Sequence, residues 1–297
     1  MSPADLFAQG RHSADWIRGF YDRAAVWWGP DPQAPGVHQA RRDVVERLAG
    51  PGPLRVLELG SGSGYTAAAL ADAGHDVVAV ELSPNRAAHA RELAAVPRRG
   101  SLTSLEGDFY TARVPGRFMA VCCWETFGLG TDADQRRLLR RISREWLAPG
   151  GLVLMDVYCP FRPARDAGTE ARLAPLEGVP GSVEMFERCH FDPRHSRWID
   201  EWVPVEHPSE ALAQSIRCYS PADLILLLEG TGLALRDVEV AGRALGVGAP
   251  DADQRITISP ALLEAWSYLA VLGAEAPPPG SAAGPRRAGA LASPQAI

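Results

Sequence analysis

The run Val56–Leu70, VLELGSGSGYTAAAL, sets Gly60, Gly62 and Gly64 at alternate positions between an apolar stretch and an alanine-rich helical pattern. Without Cβ atoms, the backbone of such a turn approaches a ligand closely. Where a strand feeds a helix through it, a crevice opens at the carboxyl end of a parallel sheet. Two cofactor classes use this construction. Dinucleotide binders need G-x-G-x-x-G, with the pyrophosphate at the helix N-terminus and a third glycine that lets helix and strand pack. Here that third position is Tyr65, which obstructs the packing, and Glu58 stands two residues before the first glycine. A carboxylate there is poor company for a pyrophosphate and good company for a cation.

The elements that must position this turn alternate strand and helix. LRVLEL (54–59) reads as a buried strand, YTAAALADAG (65–74) as a helix ended by Gly74, and DVVAVEL (76–82) as a second strand. SPNRAAHARELAAV (83–96) opens with a Ser cap and Pro in the first turn, a good helix start. SLTSLEGD (101–108) and FMAVCCWE (118–125) are the third and fourth strands. DADQRRLLRRISREWLAPGG (132–151) is a helix stopped by Pro-Gly-Gly, and LVLMDVY (152–158) is the fifth strand. Near-continuous apolar strands alternating with helices indicate a parallel sheet covered on both faces, an α/β fold.

The texture changes on either side of this core. Residues 1–52 read as helical, with SADWIRGFYDRAAVWWG dense in aromatics and HQARRDVVERLAG closing at Gly50. Beyond the fifth strand, SVEMFERCHF and RWIDEWVPVEH flank DPRHS as a hairpin, expected to lean over the ligand edge of the sheet. SPADLILLLEGTG is another Ser-Pro helix, LALRDVEV a sixth strand, and AWSYLAVL is assigned as a seventh because it closes the sheet. The division expected is a helical lid (1–52), a core (53–158), an antiparallel insertion (159–217), the C-terminal part of the core (218–274) and a Pro/Gly/Ala/Ser-rich disordered tail (275–297).

With 297 residues, 46% of them hydrophobic, and a net charge of −6, the chain buries a full core and favours small-molecule chemistry over broad electrostatic binding to nucleic acid. RRLLRR (136–141) reads as a solvated cationic face. Neither a signal peptide nor an 18-residue apolar run is visible, so no membrane association is expected. The five cysteines lack C-x-x-C pairing and metal spacing. Cys122 and Cys123 sit in an apolar run as small hydrophobes, so the expectation is a reduced cytoplasm and no metal.

VLELGSGSG resembles the glycine motif of class I, Rossmann-like S-adenosylmethionine-dependent methyltransferases, and the similarity continues for about 100 residues in order. VVAVELSP, LEGDFY, FMAVCCWETFGLG and LAPGGLVLMDVY match the family's successive motifs. The resemblance implies a seven-stranded sheet of order 3-2-1-4-5-7-6 with the seventh strand antiparallel. It implies S-adenosylmethionine as cofactor and S-adenosylhomocysteine as product. Glu81 would accept hydrogen bonds from the ribose hydroxyls, Asp108 would meet the adenine amino group, and Glu58 would lie near the amino acid end. Ser61, Gly60, Gly62, Gly64, Leu82, Phe109 and Trp124 complete the expected cofactor set.

The acceptor side is less informative. In similar enzymes an N-terminal tyrosine closes over the cofactor, which makes Tyr21 a lid candidate, with Trp27 and Trp28 as walls or as core aromatics. His38 stands at a helix entrance as a base, a cofactor contact or an exposed cap. Glu125 and Thr126 follow the fourth strand, the usual floor of the transfer site, and Tyr158 and Asp156 end the fifth on the same rim. With Tyr21, His38 and Glu125 as catalytic candidates, Trp28, Thr126, Tyr158 and Trp202 are those for substrate. His190, His195 and Glu201 are further candidates on the insertion. Alternation in RWIDEWVPV sets Trp198, Asp200 and Trp202 on one face, as an acceptor pocket, a dimer contact or a solvated hairpin.

The reading is methyl transfer to oxygen or nitrogen of a small molecule, in bacterial secondary metabolism, by a monomer or homodimer. Open beside it are non-transfer chemistry on the same cofactor (decarboxylation or cyclisation) and a non-catalytic partner that binds the cofactor. An NAD-binding dehydrogenase is opposed by Tyr65 and Glu58.

Overall fold

The computed structural model describes residues 14–246, apart from 32 and 35, and residues 260–275. The expected tail therefore lies outside the described residues beyond Glu275, as does the start of the expected lid. Helices α1 (Ala14–Trp28) and α2 (Val37–Ala49) come first. α2 closes at Gly50, which donates its N–H to the Glu46 carbonyl and then, at φ 102°, turns the chain out of the helix.

β1 (Arg55–Leu59) leads through the glycine turn into α3 (Tyr65–Ala73). There follow β2 (Asp76–Glu81), α4 (Pro84–Ala94), β3 (Ser101–Glu106) and β4 (Phe118–Cys123). α4 starts where the sequence indicates: the Ser83 hydroxyl accepts the Arg86 N–H, and Pro84 holds the first turn. α5 (Asp132–Arg141) opens with a capping box between Thr131 and Asp134 and then loosens into a π-helical turn, Ile142–Trp146. β5 (Leu147–Tyr158) begins straight after it. Pro149-Gly150-Gly151 thus does not stop the helix. It lies inside the strand, where the register against β4 jumps from Phe118↔Leu147 to Ala120↔Leu152.

α6 (Phe161–Arg165), β6 (Glu170–Leu173), β7 (Met185–Asp192), β8 (Arg197–Pro204) and β9 (Leu212–Arg217) follow. The chain then makes α7 (Pro221–Leu228), β10 (Leu233–Val240), the two-residue β11 (Arg243–Ala244), α8 (Pro260–Glu264) and β12 (Ser267–Ala274).

The main sheet has the order β11-β10-β12-β5-β4-β1-β2-β3. This is the expected 3-2-1-4-5-7-6 arrangement, with β12 antiparallel to both neighbours and β11 as an additional, eighth edge strand. Side-chain alternation divides its core in two. Val56, Val77, Ala79, Ala120 and Cys122 pack under α2 and α3 with Val45 and Leu70, whereas Leu57, Val78, Val80, Val121 and Cys123 pack under α5 and α7 with Leu138 and Leu224. The five cysteines are all buried and free. Burial pushes every one of their thiols up, those of Cys123 and Cys218 to about 12 and that of Cys189 to about 11. Among the described residues no helix is long and apolar enough to cross a membrane.

The expected hairpin is β7–β8, turning at Pro193–Ser196, but it belongs to a second, four-stranded antiparallel sheet, β6-β7-β8-β9. α1 spans the gap between the sheets. Phe20, Ala24 and Trp27 pack on Met185, Trp202 and Leu212, and Asp22 accepts the Ser83 hydroxyl at the end of β2. Trp27 is therefore a core aromatic and lines no part of the cleft described next.

Candidate active site

A cleft of about 350 Å³ lies at the carboxyl ends of β1, β2, β4 and β5, roofed by α1 and the second sheet. Its first wall is the glycine turn. The Gly60 and Ser61 N–H groups donate to the Val80 carbonyl at 2.8 and 3.1 Å. The Glu81 carboxylate accepts from the Gly62 N–H and the Ser83 N–H, both at 2.8 Å, so one side chain fixes the turn after β1 and the loop after β2. Burial raises its pKa, partly offset by the Ser83 N–H and by Arg86.

The three glycines, all at positive φ, have different tasks. A Cβ on Gly60 would meet Thr126 Cγ2 at 2.5 Å, and one on Gly64 would meet Ala90 Cβ at 2.8 Å, so these two permit packing within the protein. A Cβ on Gly62 would find only Arg86, at 3.6 Å, so of the three it is the one whose Cβ would enter the cleft without meeting a wall. Beneath the turn Glu58 is 2% exposed, and its Oε2 has no hydrogen-bond partner. Burial pushes its carboxyl up to about 8, against the pull of Arg41. Ser61 Oγ is likewise unpartnered, Leu82, Asp108 and Phe109 line the same wall, and Asp108 Oδ1 accepts the Tyr110 N–H at 2.8 Å.

The floor is Trp124-Glu125-Thr126. Glu125 has φ 58°, a left-handed conformation costing about 1–2 kcal/mol in a residue with a Cβ. Its carboxylate accepts from Arg41 at 2.7 Å and from Gln33 at 3.0 Å. Arg41 also lies 3.8 Å from Asp156 and over the Trp124 ring. Asp156, just below, is pushed up to about 7 by burial. Thr126 Oγ1 donates to the Leu59 carbonyl at 3.2 Å, which holds its methyl group against Gly60. Both ring nitrogens of His38 are engaged, Nδ1 with Thr66 Oγ1 at 2.8 Å and Nε2 with Asp31 at 3.1 Å, and its ring stacks on Tyr65.

The opposite wall is aromatic. Tyr21 and Trp28 descend from α1, Tyr158 ends β5, and Trp198, Asp200 and Trp202 alternate along β8. Trp28 meets Trp202 edge-on at 4.8 Å, and Tyr158 meets Trp198 at 5.3 Å. The Tyr21 hydroxyl donates to Gln214 Oε1 at 3.4 Å, and Gln214 Nε2 donates to Asp200 Oδ2 at 3.3 Å. The faces of β8 sort its charges: Glu201 turns away to His190, at 3.2 Å, and His195 bonds Asp192 at 2.7 Å in the hairpin turn. Neither histidine lines the cleft.

The structure thus gathers Tyr21, Trp28, His38, Glu58, Gly60, Ser61, Gly62, Glu81, Leu82, Asp108, Phe109, Trp124, Glu125, Thr126, Tyr158 and Trp202 into one cleft, and leaves Gly64 behind it as a packing glycine. Sequence reasoning overlooked Gln33, Arg41, Arg86 and Gln214, which also line it. Arg41 sits in HQARRD on the α2 face shared with His38, so an i,i+3 reading of that helix would have found it. RRLLRR is not wholly solvated either. Arg141 donates to the Phe109 and Ala112 carbonyls, both at 2.8 Å, and braces the Asp108 loop from behind. No group of three His, Cys, Asp or Glu side chains able to hold a metal occurs among the described residues.

Residues 36–238, more than half of the chain, match the model of the methyltransferase domain family, and the chain belongs to that family. It is similar to the ubiquinone biosynthesis O-methyltransferase of Xanthomonas campestris pv. campestris, 35% identical over 142 residues, 44% of this chain and 55% of that protein. Its counterpart in Xanthomonas oryzae pv. oryzae is 30% identical over 160 residues, 50% of this chain and 63% of that one. The chain thus spans little more than half the length of the curated relatives it matches. In fold it is similar to the methyltransferase CcbJ from Streptomyces caelestis, at a TM-score of 0.64 and 24% identity over 84% of this chain and 99% of that one. It is also similar to the amino pentose methyltransferase CalS10 from Micromonospora echinaspora, at 0.54 and 22% over 84% and 95%.

Proposed function

We propose that the chain is an S-adenosylmethionine-dependent enzyme that methylates a small-molecule acceptor and releases S-adenosylhomocysteine. The observation that carries this reading is the pair of buried carboxylates flanking the turn. Glu81 is tied to Gly62 N–H, and Glu58 leaves an oxygen without a partner beside the cleft. Such a wall suits a ligand with an ammonium and a sulfonium, because a cation held beside it favours the carboxylate forms. Bound there, S-adenosylmethionine supplies an electrophilic methyl group on a sulfonium sulfur.

In this reading Glu58, Gly60, Ser61 and Gly62 hold the amino acid end, Glu81 the ribose hydroxyls, and Asp108, Leu82 and Phe109 the adenine. Tyr21 covers the cleft from α1, and Trp124 and Thr126 support its floor. Methyl transfer asks of the protein mainly in-line positioning and exclusion of water. Glu125 and His38 act as positioning residues, because Arg41 and Gln33 occupy the carboxylate and Asp31 and Thr66 occupy the imidazole. Trp28, Tyr158 and Trp202 form the acceptor wall. We infer a monomer or homodimer in the cytoplasm, a compartment that the five free cysteines support.

Calorimetric titration tests the reading. S-adenosylhomocysteine is expected to bind one per chain at micromolar concentration or below, and NAD not to bind. Tight NAD binding without S-adenosylhomocysteine binding would overturn it. A saturable cofactor site with no turnover across a broad panel of amines and alcohols would leave a binding partner instead of an enzyme.

A further inference from the structure

Among the described residues, Asp200 is the one carboxylate on the aromatic wall. It is 2% exposed, and only its Oδ2 is bonded, to the neutral Gln214 amide; Oδ1 has no partner. The groups that face it bring no positive charge. Gln214 comes from β9, Tyr21 from α1 and Tyr158 from β5, and from β7 come Cys189 and a second carboxylate, Glu187. Among the described residues no arginine or histidine is ion-paired with it. A carboxylate in so dry a place without a countercharge takes up a proton, and stays ionised only where a ligand supplies the countercharge. The rings of Trp28, Trp198, Trp202, Tyr21 and Tyr158 line the same part of the cleft. Faces of such rings attract cations. A carboxylate ringed by aromatics suits an ammonium and does little for a neutral hydroxyl.

We propose that the acceptor is an amine, bound as its ammonium ion by Asp200 and the aromatic wall, and that Asp200 Oδ1 takes its proton. The proposal rests on the methyltransferase reading above and names its acceptor class. An ammonium nitrogen has no lone pair to offer. One proton passes from it to Oδ1, converting ammonium and carboxylate into neutral amine and carboxylic acid. The freed lone pair forms the N–C bond as the C–S bond of the sulfonium breaks and leaves its electron pair on sulfur. The methylated product departs as an ammonium ion, and Asp200 returns its proton to solvent. Burial, with Glu187 nearby, raises the Asp200 pKa well above the usual carboxylate range, which brings it closer to that of an amine and eases the transfer.

The test uses the full chain saturated with S-adenosylhomocysteine and two matched pairs of probes, benzylamine against benzyl alcohol and cyclohexylamine against cyclohexanol. Binding is read by quenching of tryptophan fluorescence at neutral pH. Each amine is expected to bind at least tenfold more tightly than its alcohol. In Asp200→Asn, which keeps shape and an oxygen toward Gln214, that preference is expected to fall to within about twofold, with S-adenosylhomocysteine affinity unchanged. Equal binding, preference for the alcohols, or no binding of either class to the wild-type protein overturns the amine proposal, and needs no variant to fold. If the protein saturates with S-adenosylhomocysteine and the preference is absent, the amine assignment alone falls. If it does not bind S-adenosylhomocysteine at all, the methyltransferase reading falls, and this proposal with it.

Discussion

The two walls of the cleft are built by different means. The glycine-turn wall is drawn from Glu58 to Phe109, and its key contacts are between backbone N–H groups and a carboxylate, as at Gly62 and Glu81. The aromatic wall is assembled from α1, β5, β8 and β9, and the hydrogen bond from Tyr21 to Gln214 joins residues 193 apart in sequence. One wall is a property of a local turn, whereas the other exists only once two sheets and a helix have docked. The first therefore tolerates little change in residue type. The second can be rebuilt around a different acceptor without disturbing the first.

That contrast breaks most sharply at the glycines. Gly62→Val is expected to leave the protein folded, with about 1–2 kcal/mol lost to the left-handed backbone, and to weaken S-adenosylhomocysteine about 100-fold or more by filling the cleft. Gly60→Val drives its side chain into Thr126 and should cost about 3 kcal/mol of stability as well, read as a lower Tm. If the two variants melt alike and bind alike, the assignment of separate tasks is wrong. Glu81→Ala comes next. Losing hydrogen bonds to a charged group costs about 1–3 kcal/mol, a Kd about 5- to 150-fold weaker by calorimetry. A Kd within twofold of wild type would place the ribose elsewhere.

Glu58 gives the pH dependence. Its carboxyl, pushed up to about 8 by burial, holds its proton in the free protein below that pH. A cation bound beside it favours the carboxylate, so binding releases the proton. Affinity for S-adenosylhomocysteine should therefore rise by up to about tenfold per pH unit toward pH 8 and then level off. The stability of the unliganded protein runs the other way. It is highest where Glu58 is protonated and falls as pH rises from the ordinary carboxylate range through about 8. Glu58→Gln should flatten the affinity trend and lessen the stability trend, part of which Asp156 carries over the same range, and proton release measured in buffers of different ionisation enthalpy checks it directly. The smallest effect belongs to the aromatic wall. Trp28→Leu removes an edge-on ring pair worth about 0.5–1.5 kcal/mol. It should raise the KM of whichever panel acceptor turns over about fivefold, with the cofactor Kd within twofold. Equal losses on both sides would mean that the walls are not separable.

The same contrast decides what was legible in the sequence. The alternating apolar strands, the Ser-Pro helix starts and the spacing of Glu58, the glycines, Glu81 and Asp108 are local signals, and they located the parallel sheet and one wall. Even there, a G-x-G-x-G pattern reads as three equivalent glycines, because what opposes each Cβ (Thr126, open cleft, Ala90) comes from distant segments. The helix end at Trp146 was hidden for a similar reason. Pro-Gly-Gly is a strong local stop, yet the strand had already begun, and the register against β4 placed the glycines within it. On the acceptor side, strand alternation did set Trp198, Asp200 and Trp202 on one face. Nothing local said that this face turns inward, or that Gln214 meets Asp200 from β9.

The buried cysteines carry a practical consequence. A thiol whose pKa is raised by burial is unreactive until its surroundings open, because only the exposed thiolate is alkylated at a useful rate. Cys122 and Cys123 lie on opposite faces of β4, whereas Cys189 on β7 and Cys218 just after β9 pack with Trp198 and Ile216 at the second sheet. Iodoacetamide labelling counted by peptide mass thus provides separate clocks for the two sheets in one sample. A molecule held between them registers as a slower tick at Cys189 and Cys218, before any product has been identified.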